Sequence, residues 1–99
     1  MKVSLDELIE RINRSKKAVI NYYLFGQMGL GATEVEWEGM SLKRDGDGGV
    51  CIPFLKEDLD NAYYINDNNE IYQEEADRNA TAKFEIREGG MLLMEIYLY

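Results

Sequence analysis

Clear helical spacing of apolar residues occurs near the start of this chain, at Leu5, Leu8, Ile9 and Ile12. From residue 17 onward, apolar residues instead alternate with polar ones or gather in short β-branched and aromatic runs. A change of period from 3.6 to 2 restricts the fold to one amphipathic helix followed by strands. Ser4 with Glu7 three residues later has the form of a capping box, so a helix is predicted over 4–15. Arg14, Lys16 and Lys17 follow near its C-terminal end, where positive charge complements the helix dipole.

The strand candidates come in order. Residues 17–25 are rich in valine, isoleucine and tyrosine and suit a strand buried on both faces. Residues 32–38 alternate, with Glu34, Glu36 and Glu38 on one side and Val35 and Trp37 on the other, as in a half-buried strand that Gly39 ends or bulges. Residues 44–49 form a glycine and aspartate turn, and 50–55 form a short apolar strand whose Pro53 favours a sheet edge. Residues 62–65 and 70–73 flank 66–69 like the arms of a hairpin.

For the last two strands, over 80–87 and 91–99, loop length decides the register. A two-residue Gly89-Gly90 turn sets Phe84 opposite Glu95 and mixes charge into both faces. A three-residue loop over 88–90 instead pairs Ile86 with Leu92, Phe84 with Met94 and Ala82 with Ile96, and brings Lys83 to Glu95 on the far side. The longer loop is therefore expected. The resulting fold class is α+β: one N-terminal helix packed on a mostly antiparallel sheet of about five or six strands. The expected core combines Val35, Trp37, Phe84, Ile86, Met94 and Ile96 with Leu5, Leu8, Ile9 and Ile12.

Ninety-nine residues, 45% hydrophobic, correspond to one domain over 1–99. Acids and bases interrupt the first aliphatic residues and no run approaches membrane-spanning length, so a cytoplasmic protein is expected. Cys51 is the single cysteine, which precludes an intrachain disulfide. Its neighbours Val50 and Ile52 suggest a buried, inert thiol. The chain has no histidine, which removes the usual general base, the imidazole of nucleophilic triads and the commonest transition-metal ligand. Neither a catalytic residue nor a cofactor is expected.

The glycines at 26, 29 and 31 follow a strand, but their order is not the dinucleotide fingerprint and no helix opens after them for a phosphate. Asp45 and Asp47 lack the ligand spacing of a calcium loop, and 66–69 has the composition of a turn, so no metal is assigned to either. Of seven tyrosines, the adjacent pairs Tyr22-Tyr23 and Tyr63-Tyr64 must each divide between opposite strand faces. One tyrosine of each pair is left accessible.

Charge is the most informative feature. Residues 1–17 hold five bases and three acids, whereas 18–99 hold six bases and sixteen acids, within a net charge of -8. Glu57, Asp58, Asp60, Asp67, Glu70, Glu74, Glu75 and Asp77 succeed one another with no lysine or arginine between Glu57 and Asp77. Carboxylates at alternate strand positions lie about 6.8 Å apart. Duplex DNA carries one charge per about 1.7 Å of axis, so Glu34, Glu36 and Glu38 need neighbouring acids to imitate it.

The leading expectation is a small, non-enzymatic binding protein that blocks a basic partner, a nuclease or another nucleic-acid-binding protein. Its expected surface comprises Glu34, Glu36 and Glu38, the eight acids just named, Tyr63 and Tyr64. Direct binding to nucleic acid or membrane is not expected, and self-association is left open. In size, acidity and missing catalytic groups the chain resembles, as a class, phage-encoded inhibitors of restriction or CRISPR nucleases and immunity proteins against nuclease toxins. The alternative is an α+β ligand-binding or oligomerisation module whose acidic face is simply solvated, with a carboxylate enzyme third.

Overall fold

The computed structural model describes residues 1–23, 33–54 and 62–99. Its elements are β1 (Lys2–Val3), α1 (Leu5–Arg14), β2 (Lys17–Tyr22), β3 (Thr33–Glu38), β4 (Val50–Pro53), β5 (Ala62–Ile65), β6 (Glu70–Glu74), β7 (Ala82–Glu88) and β8 (Met91–Leu98). One antiparallel sheet has the order β1-β6-β7-β8-β2-β3, and β4 and β5 form a second, two-stranded sheet.

Helix α1 begins where its cap dictates. Ser4 is extended, and its hydroxyl accepts from the Glu7 N–H at 3.1 Å. That bond satisfies one of the amides left without a partner in the first turn. The helix ends at Ser15, whose N–H and hydroxyl both donate to the Ile12 carbonyl. Leu5, Leu8 and Ile12 share the buried stripe, each contributing about 1.5–3 kcal/mol.

That stripe meets the inner face of the large sheet, formed by Ala18, Ile20, Tyr22, Ile71, Ala82, Phe84, Ile86, Met94, Ile96 and Leu98. Val50, Ile52 and Ile65 from the small sheet join the same core. Tyr22, 1% exposed, donates its hydroxyl to the Pro53 carbonyl at 2.6 Å and ties the two sheets together. Val35, Trp37 and Ile9 pack against the core but remain partly exposed. The helix and the small sheet therefore lie side by side on one face of the large sheet.

Three expectations are corrected. Residues 62–65 and 70–73 flank a turn closed by the Asn69 N–H on the Asn66 carbonyl, but they do not pair with each other. β5 pairs with β4, whereas β6 lies between β1 and β7. The alternation of each strand is compatible with either partner, so local pattern could not choose.

The β7–β8 connection is the two-residue turn, with Gly89 at φ +57° and Gly90 at φ +83°. Both central residues of such a hairpin turn need positive φ, which glycine adopts without strain. Its register mismatch is removed at once, because Arg87 faces Leu92 while Ile86 faces Met94, leaving Leu93 as a bulge. Phe84 then meets Ile96, so from Met94 onward each face keeps its intended residues although the pairs differ, whereas Leu92, expected beside Ile86, stands opposite Arg87 and is only partly buried. Lys83 still reaches Glu95, diagonally, at 3.1 Å.

Cys51 is exposed rather than buried. The period of β4 turns Val50 and Ile52 inward and Cys51 outward, opposite Tyr64. Among the described residues, no helix is long and apolar enough to cross a membrane.

Candidate protein-interaction face

Among the described residues, no helix or strand lies over the other face of the large sheet. The pairing registers arrange it in rows. One runs Lys2, Tyr72, Glu85, Glu95, Asn21 and Glu34 across all six strands, and the next runs Glu74, Lys83, Tyr97, Val19 and Glu36. Lys17 faces Glu38 beyond them, and Glu70 faces Arg87 at the opposite end. The strand alternation at 33–38 thus does put Glu34, Glu36 and Glu38 on one exposed side, along the outermost strand.

The carboxylates do not stand alone. Lys17 approaches Glu36 at 3.2 Å, Arg78 reaches Glu34 at 2.5 Å, and Arg87 bonds Glu85 at 3.0 Å. Tyr23 donates a short hydrogen bond to Glu95, and Tyr72 donates to Glu70 at 2.7 Å. Tyr97 lies beneath two cations, with the Arg78 guanidinium 4.7 Å and the Lys83 ammonium 5.4 Å from its ring centroid. Lys17 lies 4.5 Å from the centroid of Tyr99. Such contacts are favourable because the aromatic face is electronegative.

Exposure separates the centre from the rim. Lys83 and Glu95 side chains are only 15% and 12% exposed, whereas Glu34 and Glu36 are 48% and 54% exposed. At the centre, burial works to lower the Lys83 ammonium, but the hydrogen bond and charge of Glu95 outweigh it and hold the pKa raised. The Glu95 hydrogen bond, aided by burial, pushes Tyr23 up to about 12. At the rim the pairs are wet, and an exposed ion pair is worth only about 0–1 kcal/mol. Glu38 and Glu74 have no salt bridge among the described residues.

Arg78 had no signal in the sequence. It occupies a tight turn, with Arg78 at φ +56° and Asn79 at φ +60°, closed by the Ala80 N–H on the Asp77 carbonyl at 3.0 Å. Left-handed backbone is costly for a side-chain-bearing residue. Here it accompanies the guanidinium's placement over Tyr97 and onto Glu34, 44 positions away in sequence.

The acids expected as a single surface are divided. Glu70 and Glu74 join the open face, and Glu75 and Asp77 are exposed in the loop after β6. Asp67 lies elsewhere, bonded at 2.8 Å by Arg44, which also holds Asp6 at 2.7 Å. The Arg44 hydrogen bond keeps the Asp67 carboxyl below the ordinary range. Tyr63 and Tyr64 belong to the small sheet, where their hydroxyls donate to Glu88 at 3.0 Å and Asp45 at 3.3 Å. Burial and then the Glu88 bond push Tyr63 up to about 12. Glu57, Asp58, Asp60 and the glycines at 26, 29 and 31 lie outside the described residues.

Asp45 accepts from the Asp47 and Gly49 N–H groups at 2.9 and 3.3 Å, so its carboxylate organises its own turn. Among the described residues, no group of three or more acids and cysteines is arranged to hold a metal ion. An open cleft of about 320 Å³ lies at the end of α1, lined by Arg11, Arg14, Ser15, Thr81, Leu98 and Tyr99. Its hydroxyls at Ser15 and Thr81 donate to backbone carbonyls, and no carboxylate or thiol side chain is among these lining residues. Comparisons of the chain with protein-family models, curated proteins and solved structures found no match.

Proposed function

We propose that the chain is a small acidic, non-enzymatic binding protein whose open sheet face engages a basic, nucleic-acid-binding partner and competes with its nucleic acid. The observation that carries this reading is the glutamate rim. Glu34 and Glu36 keep about half of their side-chain surface exposed even while paired. Weak, wet ion pairs exchange readily, so a partner's lysine or arginine can replace Lys17 or Arg78 at modest cost. Glu38 extends the row without an internal cation among the described residues. Tyr97 and Tyr99 sit beneath the internal cations and keep them on the face. This surface is smaller than the acidic stretch of the sequence suggests, because Asp67, Tyr63 and Tyr64 lie with the small sheet.

The test is a charge reversal in the native host extract. Wild-type protein and a Glu34→Lys, Glu36→Lys, Glu38→Lys variant serve as parallel baits. The expected result is a nucleic-acid-binding protein retained by the wild type, released by added salt, displaced from its nucleic acid and lost with the folded variant. Retention that is indifferent to both salt and the substitutions would overturn the reading. A partner that contacts Glu34 should also bind the Arg78→Met variant more tightly, since the internal competitor is gone and the bulk over Tyr97 is kept.

A further inference from the structure

The partner's mode of attachment can be read from the backbone of β3. We propose that β3 is a docking edge for an extended segment of the basic partner, one that alternates lysine or arginine with apolar residues. This rests on the reading that the open face binds a basic protein.

β3 is the terminal strand of the large sheet. The Gly39 N–H donates to the Lys16 carbonyl at 3.1 Å, extending the register in which Lys17 faces Glu38. In an antiparallel ladder the N–H and C=O of one residue point to the same side, and successive residues point to opposite sides. The backbone groups of residues 33, 35, 37 and 39 therefore face β2. Those of Glu34, Glu36 and Glu38 face away from the sheet, and no described residue pairs with them. The same residues thus offer carboxylates on the open face and peptide groups along the edge.

A strand added here would set three of its side chains directly opposite these glutamates. The intervening side chains would extend the inner face past Val35 and Trp37, which are only partly buried on that flank. Opposite a carboxylate a lysine or arginine is favoured, and beside valine and tryptophan an apolar residue.

The same pattern rejects a second copy of this chain. Antiparallel pairing of two β3 strands about Glu36 would oppose Glu36 to Glu36 and Glu34 to Glu38, and like charges directly opposite are destabilising. At the far edge of the sheet, β1 has only two residues and Lys2 on the open face, so it offers no equivalent. Edge charge ordinarily discourages pairing. Here it discourages copies of itself while favouring a strand of opposite sign.

The probe is a capped peptide of alternating lysine and valine, with a peptide of the same composition but all its lysines in one block as control. Amide exchange is followed by NMR. The alternating peptide should slow exchange at Glu34, Glu36 and Glu38 by about tenfold or more, and the block peptide should not. Glu36→Pro removes an outward N–H and a carboxylate, whereas Glu36→Ala removes only the carboxylate. The proline variant should bind the alternating peptide about tenfold more weakly than the alanine variant, with an unchanged fold.

Binding that is salt-sensitive, equal in the two variants and without amide protection would sink strand docking and leave the acidic-face reading standing. Binding that ignores both salt and the triple charge reversal would remove the acidic-face reading as well. The protection measurement decides the matter by itself if the proline variant does not fold.

Discussion

The two faces of the large sheet are held by different physics. The inner face is covered by α1 and the small sheet, and Leu8, Ile12, Ile20, Phe84, Ile86 and Ile96 are wholly buried there. The open face uses long charged side chains to cover its own tyrosines, with Arg78, Lys83 and Lys17 lying against Tyr97 and Tyr99. Apolar burial is non-directional and is not screened by salt, whereas an ion-pair lattice is directional and weakens as water and salt reach it. One face therefore supplies stability and the other keeps exchangeable contacts. The binding face proposed above is the second.

The largest expected contrast lies in the core. Phe84→Ala should cost about 3–5 kcal/mol and Leu8→Ala about 2–5 kcal/mol in denaturant unfolding, because each empties a fully buried site. Losses as large from any rim substitution, such as Glu36→Ala, would break the comparison.

Next comes Gly49→Ala. A Cβ at Gly49 would lie 2.7 Å from the Ile65 carbonyl oxygen and collide with the Tyr64 ring, so about 1–3 kcal/mol should be lost. The centre of the open face should respond less than the core and more than the rim. Lys83→Ala, which takes the counter-charge from Glu95 in a partly buried site and leaves it the Tyr23 hydroxyl, should cost about 1–3 kcal/mol. A double-mutant cycle with Glu95→Ala should show coupling.

Alkaline titration sharpens the contrast in another way. Tyr23 and Tyr63 have folded pKa values raised from 10.0 to about 12. Their contribution to stability is complete below pH 10 and is lost as the pH rises through about 12. Phenolate absorbance should therefore show a late class of tyrosines, and Tyr23→Phe should remove one member. Asp67 runs the other way. Its lowered folded pKa gives stability that is present above its ordinary value of 3.8 and lost as the pH falls below it.

The smallest effect is expected at Cys51. It should react with a thiol reagent in the native state at nearly the unfolded rate, and Cys51→Ser should change stability by less than about 0.5 kcal/mol. A protected thiol would mean that β4 is oriented otherwise.

Sequence and structure agree where the determining interaction is local. The Ser4 cap, the 3.6 spacing of Leu5, Leu8 and Ile12, and the alternation at Glu34, Glu36 and Glu38 each act within a few residues, so the pattern alone places the side chains. Cys51 was legible by the same rule, since Val50 and Ile52 on either side of it point inward. Its apolar neighbours in sequence mark the opposite side of the strand, so the period of β4 turns the thiol outward. In the β7–β8 turn, Gly89 and Gly90 announced two residues at positive φ. The mismatch that argued against them is relieved by a bulge at Leu93, which has no sequence mark.

Strand partners and charge partners depended on tertiary structure. β5 and β6 each alternate acceptably against several neighbours, and the choice follows from which apolar face completes the common core with α1. The acidic stretch looked continuous because sequence places its carboxylates in line, but the chain crosses from the small sheet to the large one between Ile65 and Glu70. Asp67 is thereby left with Arg44. The sequence by itself determined one helix, strands of known facing and an exposed glutamate row on 33–38, because helix and strand periods are properties of the backbone. Only the tertiary structure decided that Arg78 and Lys17 would answer those glutamates and that β3 would be an edge, because both depend on contacts between residues far apart in the chain.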